Sequence, residues 1–155
     1  MKKTLFERLA DSSPNTEIWW DSSPLVYPTW SEMMHEKARS QDMPYLAEAA
    51  DRYFNADDLA SSLFTGATTN PPLALNAMKD NPARWEKWIK EYTAENPDAD
   101  YETVFWELYK VIVKLGAEAL HPIFMKSGYT HGHISGQVDP RYPFERDLML
   151  KQGLE

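Results

Sequence analysis

The sequence predicts an α/β fold built from parallel βα units, on three observations. Short strand-like segments alternate with longer stretches of helical periodicity, in the order strand, helices, strand, helices, strand, helix. Each strand-like segment runs into a polar residue and a turn signal, at Asp21-Ser22-Ser23-Pro24, Asn70-Pro71-Pro72 and Gln137-Val138-Asp139-Pro140. The phosphate-cradling loops of doubly wound sheets, Gly-x-Gly-x-x-Gly or a Gly-rich run ending in Lys-Ser/Thr, do not occur. With 155 residues, 43% of them hydrophobic, the chain has the size of one domain or part of one, taken as residues 1–155 without a second domain.

Leu5 to Ala10 reads as a short helix ended by Ser12-Ser13-Pro14, because the residue before a proline is pushed out of the helical region. Glu17 to Asp21 is the first strand, with Trp19 and Asp21 on one face and Ile18 and Trp20 on the other. From Trp30 to Leu63 the pattern is helical with breaks at Pro44 and Asn55. Asn55-Ala56-Asp57-Asp58 has the form of an N-cap with acids in the first turn, so two or three helices are expected here. Phe64 to Thr69 is the second strand, its small Gly66 and Ala67 suited to a crowded interior. Asn70-Pro71 caps and starts a helix toward Met78, and Asn81-Pro82 starts another through Trp85, Trp88 and Tyr92. Val104, Leu108, Val111, Ile112, Leu115 and Ala119 form the clearest amphipathic stripe, predicted to end at Pro122 and Gly128. His131 to Val138 is the third strand, with His133, Ser135, Gln137 and Asp139 on one face, and a last helix starts at Glu145.

A net charge of −8 with no basic stripe argues against nucleic acid and anionic membranes as partners. The lack of cysteine removes disulfides, thiolate metal sites and cysteine nucleophiles. The basic start Met1-Lys2-Lys3 meets Glu7, Arg8 and Asp11 before any apolar stretch, and no long uncharged run follows. No signal peptide or membrane span is therefore expected, and the cytoplasm is the expected location.

Asp21, Asn70 and Gln137 are the candidate catalytic residues, because all three fall at equivalent strand ends, where barrel enzymes carry their chemistry. A carboxylate beside two carboxamides can move a proton and hold hydroxyls, which suits a polyhydroxylated substrate. Thr69 and Ser135, the hydroxyls next to them in the strands, are the candidate substrate-binding residues. Each residue also has a plainer role, as a turn former, a helix cap or a buried amide, and only their joint placement favours a site. His131 and His133 with Asp139 could form a metal set, but no further ligand cluster accompanies them, and no metal is assigned.

Gly66-Ala67-Thr68-Thr69-Asn70-Pro71-Pro72-Leu73 resembles the signature around the second strand of the transaldolase family. Ile18-Trp19-Trp20-Asp21 is similar to that family's first strand, which ends in its catalytic aspartate. Ile134-Ser135-Gly136-Gln137-Val138-Asp139-Pro140-Arg141 resembles the third strand, where glutamate is the commoner residue at position 137. The matches follow the family's order across the chain, and the stretch from Pro28 to Asp58 is the least similar part.

The resemblance implies a parallel (β/α)8 barrel of the TIM type, present as its first three βα units, and a class I aldolase mechanism without metal or organic cofactor. In that mechanism a lysine amine attacks a ketose carbonyl and the iminium serves as an electron sink, so that a dihydroxyacetone unit passes between sugar phosphates. Asp21 would take and return the proton of the hydroxyl at the breaking carbon–carbon bond, Asn70 would hold hydroxyls of the transferred unit, and Gln137 would orient the water of Schiff-base chemistry. Glutamine at 137 is also similar to the fructose-6-phosphate aldolase branch, which cleaves without transfer. The family's lysine stands on a fourth strand, and this sequence ends in the helix before it; its own lysines lie in helical or turn contexts. The chain alone is therefore expected to be inactive, with a sugar phosphate bound by the complete protein. A catalytically silent half-barrel, associating with itself or with a complementing chain, is the reading from a different class.

Overall fold

The computed structural model describes residues 3–13 and 15–155; Met1, Lys2 and Pro14, and with Pro14 its expected helix-ending role, lie outside them. The described residues form helix α1 (Leu5–Ser12), strand β1 (Trp19–Asp21), a 3-10 turn (Pro24–Val26), and helices α2 (Tyr27–Ser40) and α3 (Pro44–Ala50). Strand β2 (Gly66–Thr69) follows, then α4 (Pro71–Asp80), α5 (Pro82–Glu95), the long α6 (Tyr101–Lys126), strand β3 (His133–Gly136) and α7 (Arg146–Leu154). The strands make one parallel sheet in the order β1-β2-β3. The result is a mixed α/β fold with a three-stranded sheet and seven α-helices, and no closed barrel is formed by these strands.

Strand alternation decides which side chains meet the helices. The middle rung, Trp20–Ala67–Ile134, faces them. Trp20 packs against Tyr27, Trp30 and Phe54 at ring separations of 5.6, 5.9 and 5.6 Å. Ala67 is fully buried under Leu120 and Ile123 of α6. Ile134 lies over Gly116, where an added Cβ would come within 2.8 Å of its Cδ1, so a side chain there would have to push that methyl aside. Further out, Ala74 and Ala77 of α4, Trp85 of α5, and Leu108, Tyr109 and Ile112 of α6 form a second cluster. The Trp85 indole N–H is satisfied by the Ala77 carbonyl at 2.9 Å. Phe6 of α1 closes a third cluster edge-on to Tyr53 and Phe64; truncating buried Phe64 to alanine would cost roughly 3–5 kcal/mol.

Three expectations are corrected. Asn55 starts no helix: its Oδ1 accepts the N–H groups of Asp57 and Asp58 at 3.0 Å each, and the chain continues as turns to β2. Pro122 does not end α6, which runs on to Lys126. The carbonyl its ring leaves without an intrahelical donor is that of Glu118, on the exposed side, while Leu120 and Ile123 keep the helix pressed on the sheet. Strand β3 is shorter than its hydrophobic alternation suggests, so Gln137 and Asp139 lie beyond it. No helix among the described residues is long and apolar enough to cross a membrane.

The residues just before the three strands are gathered by one carboxylate. Glu17 Oε2 accepts the Trp19 indole N–H at 2.8 Å and the Thr65 hydroxyl at 3.1 Å, and its Oε1 lies 3.6 Å from His131 Nδ1. Beside it, Gly132 holds φ at +79° and donates to the Thr65 carbonyl at 2.6 Å; a Cβ there would stand 2.5 Å from Phe124 N. The Trp19 hydrogen bond, followed by that of Thr65 and the charge of the nearby histidines, holds the Glu17 carboxyl below its ordinary value of 4.5. A depressed folded-state pKa gives stability that is complete above that ordinary value and is lost as pH falls through the folded one. Glu17→Gln is expected to lower stability near neutral pH by about 1 kcal/mol, given the exposure of the group, and to flatten the acid limb of a urea-denaturation series below about pH 4.5. An unchanged acid limb would show that Glu17 does not carry this linkage.

Candidate active site

The rungs on either side of Trp20–Ala67–Ile134 face away from the helices. The lower one is Trp19–Gly66–His133. The Trp19 ring lies directly over Gly66, where a Cβ would be 2.8 Å from the indole, and runs nearly parallel to the His133 ring at 6.5 Å. The upper rung is Asp21–Thr68–Ser135, nearest the C-terminal ends of the strands. Thr68 Oγ1 donates to Asp21 Oδ1 at 2.7 Å, a bond between neighbouring strands that fixes the carboxylate at an exposed position. Ser135 is exposed, and its hydroxyl makes no hydrogen bond among the described residues.

One step further on, Asn70 and Gln137 leave the strands. Asn70 caps α4: its Oδ1 accepts the Leu73 N–H at 2.9 Å. The cap role and a binding role are compatible, because the amide Nδ2 donates to no group among the described residues. Gln137 has an exposed side chain, and its backbone N–H is taken up by the Tyr109 hydroxyl at 2.8 Å. The turn after it is pinned by Asp139, 1% exposed, which forks onto the Arg141 guanidinium and also accepts the Arg141 backbone N–H at 3.0 Å. That side-chain pair holds the Asp139 carboxyl below the usual range. Arg141 continues to Glu102 at 2.6 Å, and Gln152 Oε1 accepts the Asp139 N–H at 3.0 Å.

Asp21 and Ser135 are thus brought to one rung, with Asn70 and Gln137 just beyond it. Thr69 is not: it is buried on the helix-facing side, and its hydroxyl has no hydrogen-bond partner. Thr68 is the threonine on the open face, and the alternation that turns Asn70 toward that face is the signal that identifies it. The metal set of His131, His133 and Asp139 does not converge, since the histidines lie at the start of β3 and Asp139 is bound to Arg141 past its end.

No strand residue is a lysine. A groove of about 850 Å³ between α6 and α7 reaches Gln137 and contains Lys110, Lys114 and Lys151, but Asp21 and Asn70 do not line it. Lys110 is bound there by Glu107 and Glu155, which raise its pKa, the reverse of what an amine nucleophile needs.

Thr69→Val removes a buried polar atom that has no partner, and stability in urea should be unchanged or rise by up to about 1 kcal/mol. A loss of about 1 kcal/mol or more would mean that the hydroxyl is satisfied in solution. Comparison of the chain with protein-family models, with curated proteins and with solved structures finds no match.

Proposed function

We propose that these strands are the first three of a parallel (β/α)8 barrel and that their open face is one wall of a transaldolase-like site, acting on sugar phosphates through a lysine Schiff base in the complete protein. The observation that carries the reading is the carboxylate of Asp21. It stands at the C-terminal end of a parallel strand, on the face free of helices, and receives a hydrogen bond from Thr68 of the next strand. The lysine supplies the electron sink. Asp21 removes the proton from the hydroxyl on the carbon whose bond to the dihydroxyacetone unit breaks, that carbon leaves as an aldehyde, and the electron pair stays with the iminium-bound unit. Thr68 keeps the carboxylate oriented. Asn70 offers its Nδ2 hydrogens to hydroxyl oxygens, its Oδ1 being engaged by the helix cap. Gln137 orients water but cannot take its proton as a carboxylate would.

In a form that supplies the lysine-bearing strand, Asp21→Ala is expected to lower turnover of fructose 6-phosphate with an erythrose 4-phosphate acceptor by about 10²–10⁴-fold at unchanged expression. Unchanged turnover removes Asp21 from the mechanism, and cleavage that ignores the acceptor assigns the chain to the aldolase branch that Gln137 favours. Borohydride treatment of the 155-residue chain with fructose 6-phosphate should leave its mass unaltered; a sugar adduct on any of its lysines would overturn the placement of the nucleophile elsewhere.

A second reading, the associating half-barrel, is favoured by one observation: Phe144, Leu150 and Leu154 around α7 are 95%, 59% and 79% exposed. Sedimentation equilibrium is expected to show self-association that weakens when Leu150 and Leu154 are replaced by serine. A monodisperse monomer counts against it.

A further inference from the structure

Strands β2 and β3 are last paired at Thr69 and Gly136. Just past that rung the backbone groups between them are met by one side chain from α6. Tyr109 Oη donates to the Thr69 carbonyl at 3.2 Å and accepts the Gln137 N–H at 2.8 Å. The residue is 5% exposed, its ring stands edge-on to Trp106 at 5.6 Å, and its burial raises the phenol pKa, so the hydroxyl keeps its proton. The Thr69 carbonyl belongs to the peptide that carries Asn70. One hydroxyl therefore holds the main chain at both candidate amides, and no other hydrogen bond among the described residues joins the strands beyond their last rung.

We propose that Tyr109 is a positioning residue, setting the separation of Asn70 and Gln137 through the main chain without touching a ligand. The assignment rests on the reading of those two amides as ligand-binding groups and adds the helix-borne group that couples them. Without the hydroxyl, a part-buried N–H and a buried C=O lose their shared partner, and the two strand ends are free to move independently.

Tyr109→Phe removes only the oxygen and keeps the ring against Trp106. Val113→Ala loosens the packing over Gly136 while leaving the hydroxyl in place, and controls for general loosening. Two NMR readouts are compared with the parent: amide exchange at Gln137 in the 155-residue chain, and, in the form that supplies the lysine-bearing strand, the shifts of the Asn70 and Gln137 side-chain amides on titration with fructose 6-phosphate. In Tyr109→Phe the Gln137 amide should exchange about tenfold faster. The two side-chain amides, which follow one binding curve in the parent, should separate or lose about threefold in amplitude. Val113→Ala should do neither. Parent-like behaviour of Tyr109→Phe on both readouts overturns the proposal, as does the same uncoupling in Val113→Ala. Faster Gln137 exchange with no sugar-induced shift in the parent supports the clamp and sinks the sugar-site reading instead. In the parent itself, the Tyr109 hydroxyl proton should exchange slowly and show a nuclear Overhauser contact with the Gln137 amide; its absence counts against the clamp whether or not the variant folds.

Discussion

Everything about the open face follows from one packed row. Trp20, Ala67 and Ile134 are held against the helices, and because strand side chains alternate, pressing this row inward turns both neighbouring rows outward. A slip of a single residue in β2 would put Gly66 or Thr68 in place of Ala67 against Leu120 and Ile123, and would turn Thr68 away from Asp21. The fit of a fully buried alanine beneath a long helix is therefore what puts a hydroxyl beside the carboxylate.

The two ends of the sheet are organised by different chemistry. Where the strands begin, a carboxylate with several donors collects Trp19, Thr65 and His131, and an indole lies flat on a glycine. Such an arrangement fills space and carries charge. Where β2 and β3 end, the tie between them is a neutral phenol placed behind the sheet, so it holds the backbone while leaving the side chains of Asn70 and Gln137 projecting from it.

The sequence reveals the strands and most helices because their signals are local. Aromatic and β-branched runs stop at polar turn residues, and Asn70-Pro71 and Asn81-Pro82 each cap a helix as their side chains suggest. The signals that mislead are local ones overruled by distant contacts. Pro122 is a helix breaker by composition, yet its turn is kept by the packing of Leu120 and Ile123 on a strand far away in sequence. Asn55 has a cap's residue type, but its oxygen closes a tight turn. Asp139 keeps the parity of β3 on paper, although the strand has ended before it and Arg141 has taken its carboxylate. Tyr109 is invisible as a partner of Gln137, since on a helical stripe it reads as one more aromatic among many, and only the folded geometry brings its hydroxyl to the strand ends.

Trp19 differs from the other tryptophans in a way that matters for observing the molecule. Trp20 and Trp30 belong to the cluster around Tyr53 and Phe64, and Trp85, Trp88 and Trp106 to that around Ile112, whereas Trp19 lies across Gly66 on the face without helices. Its emission therefore reports on the open face of the sheet while that of the others reports on the helix-packed clusters. A protein in which only Trp19 is kept fluorescent would carry an optical gauge of whatever covers that face, built into the floor of the sheet.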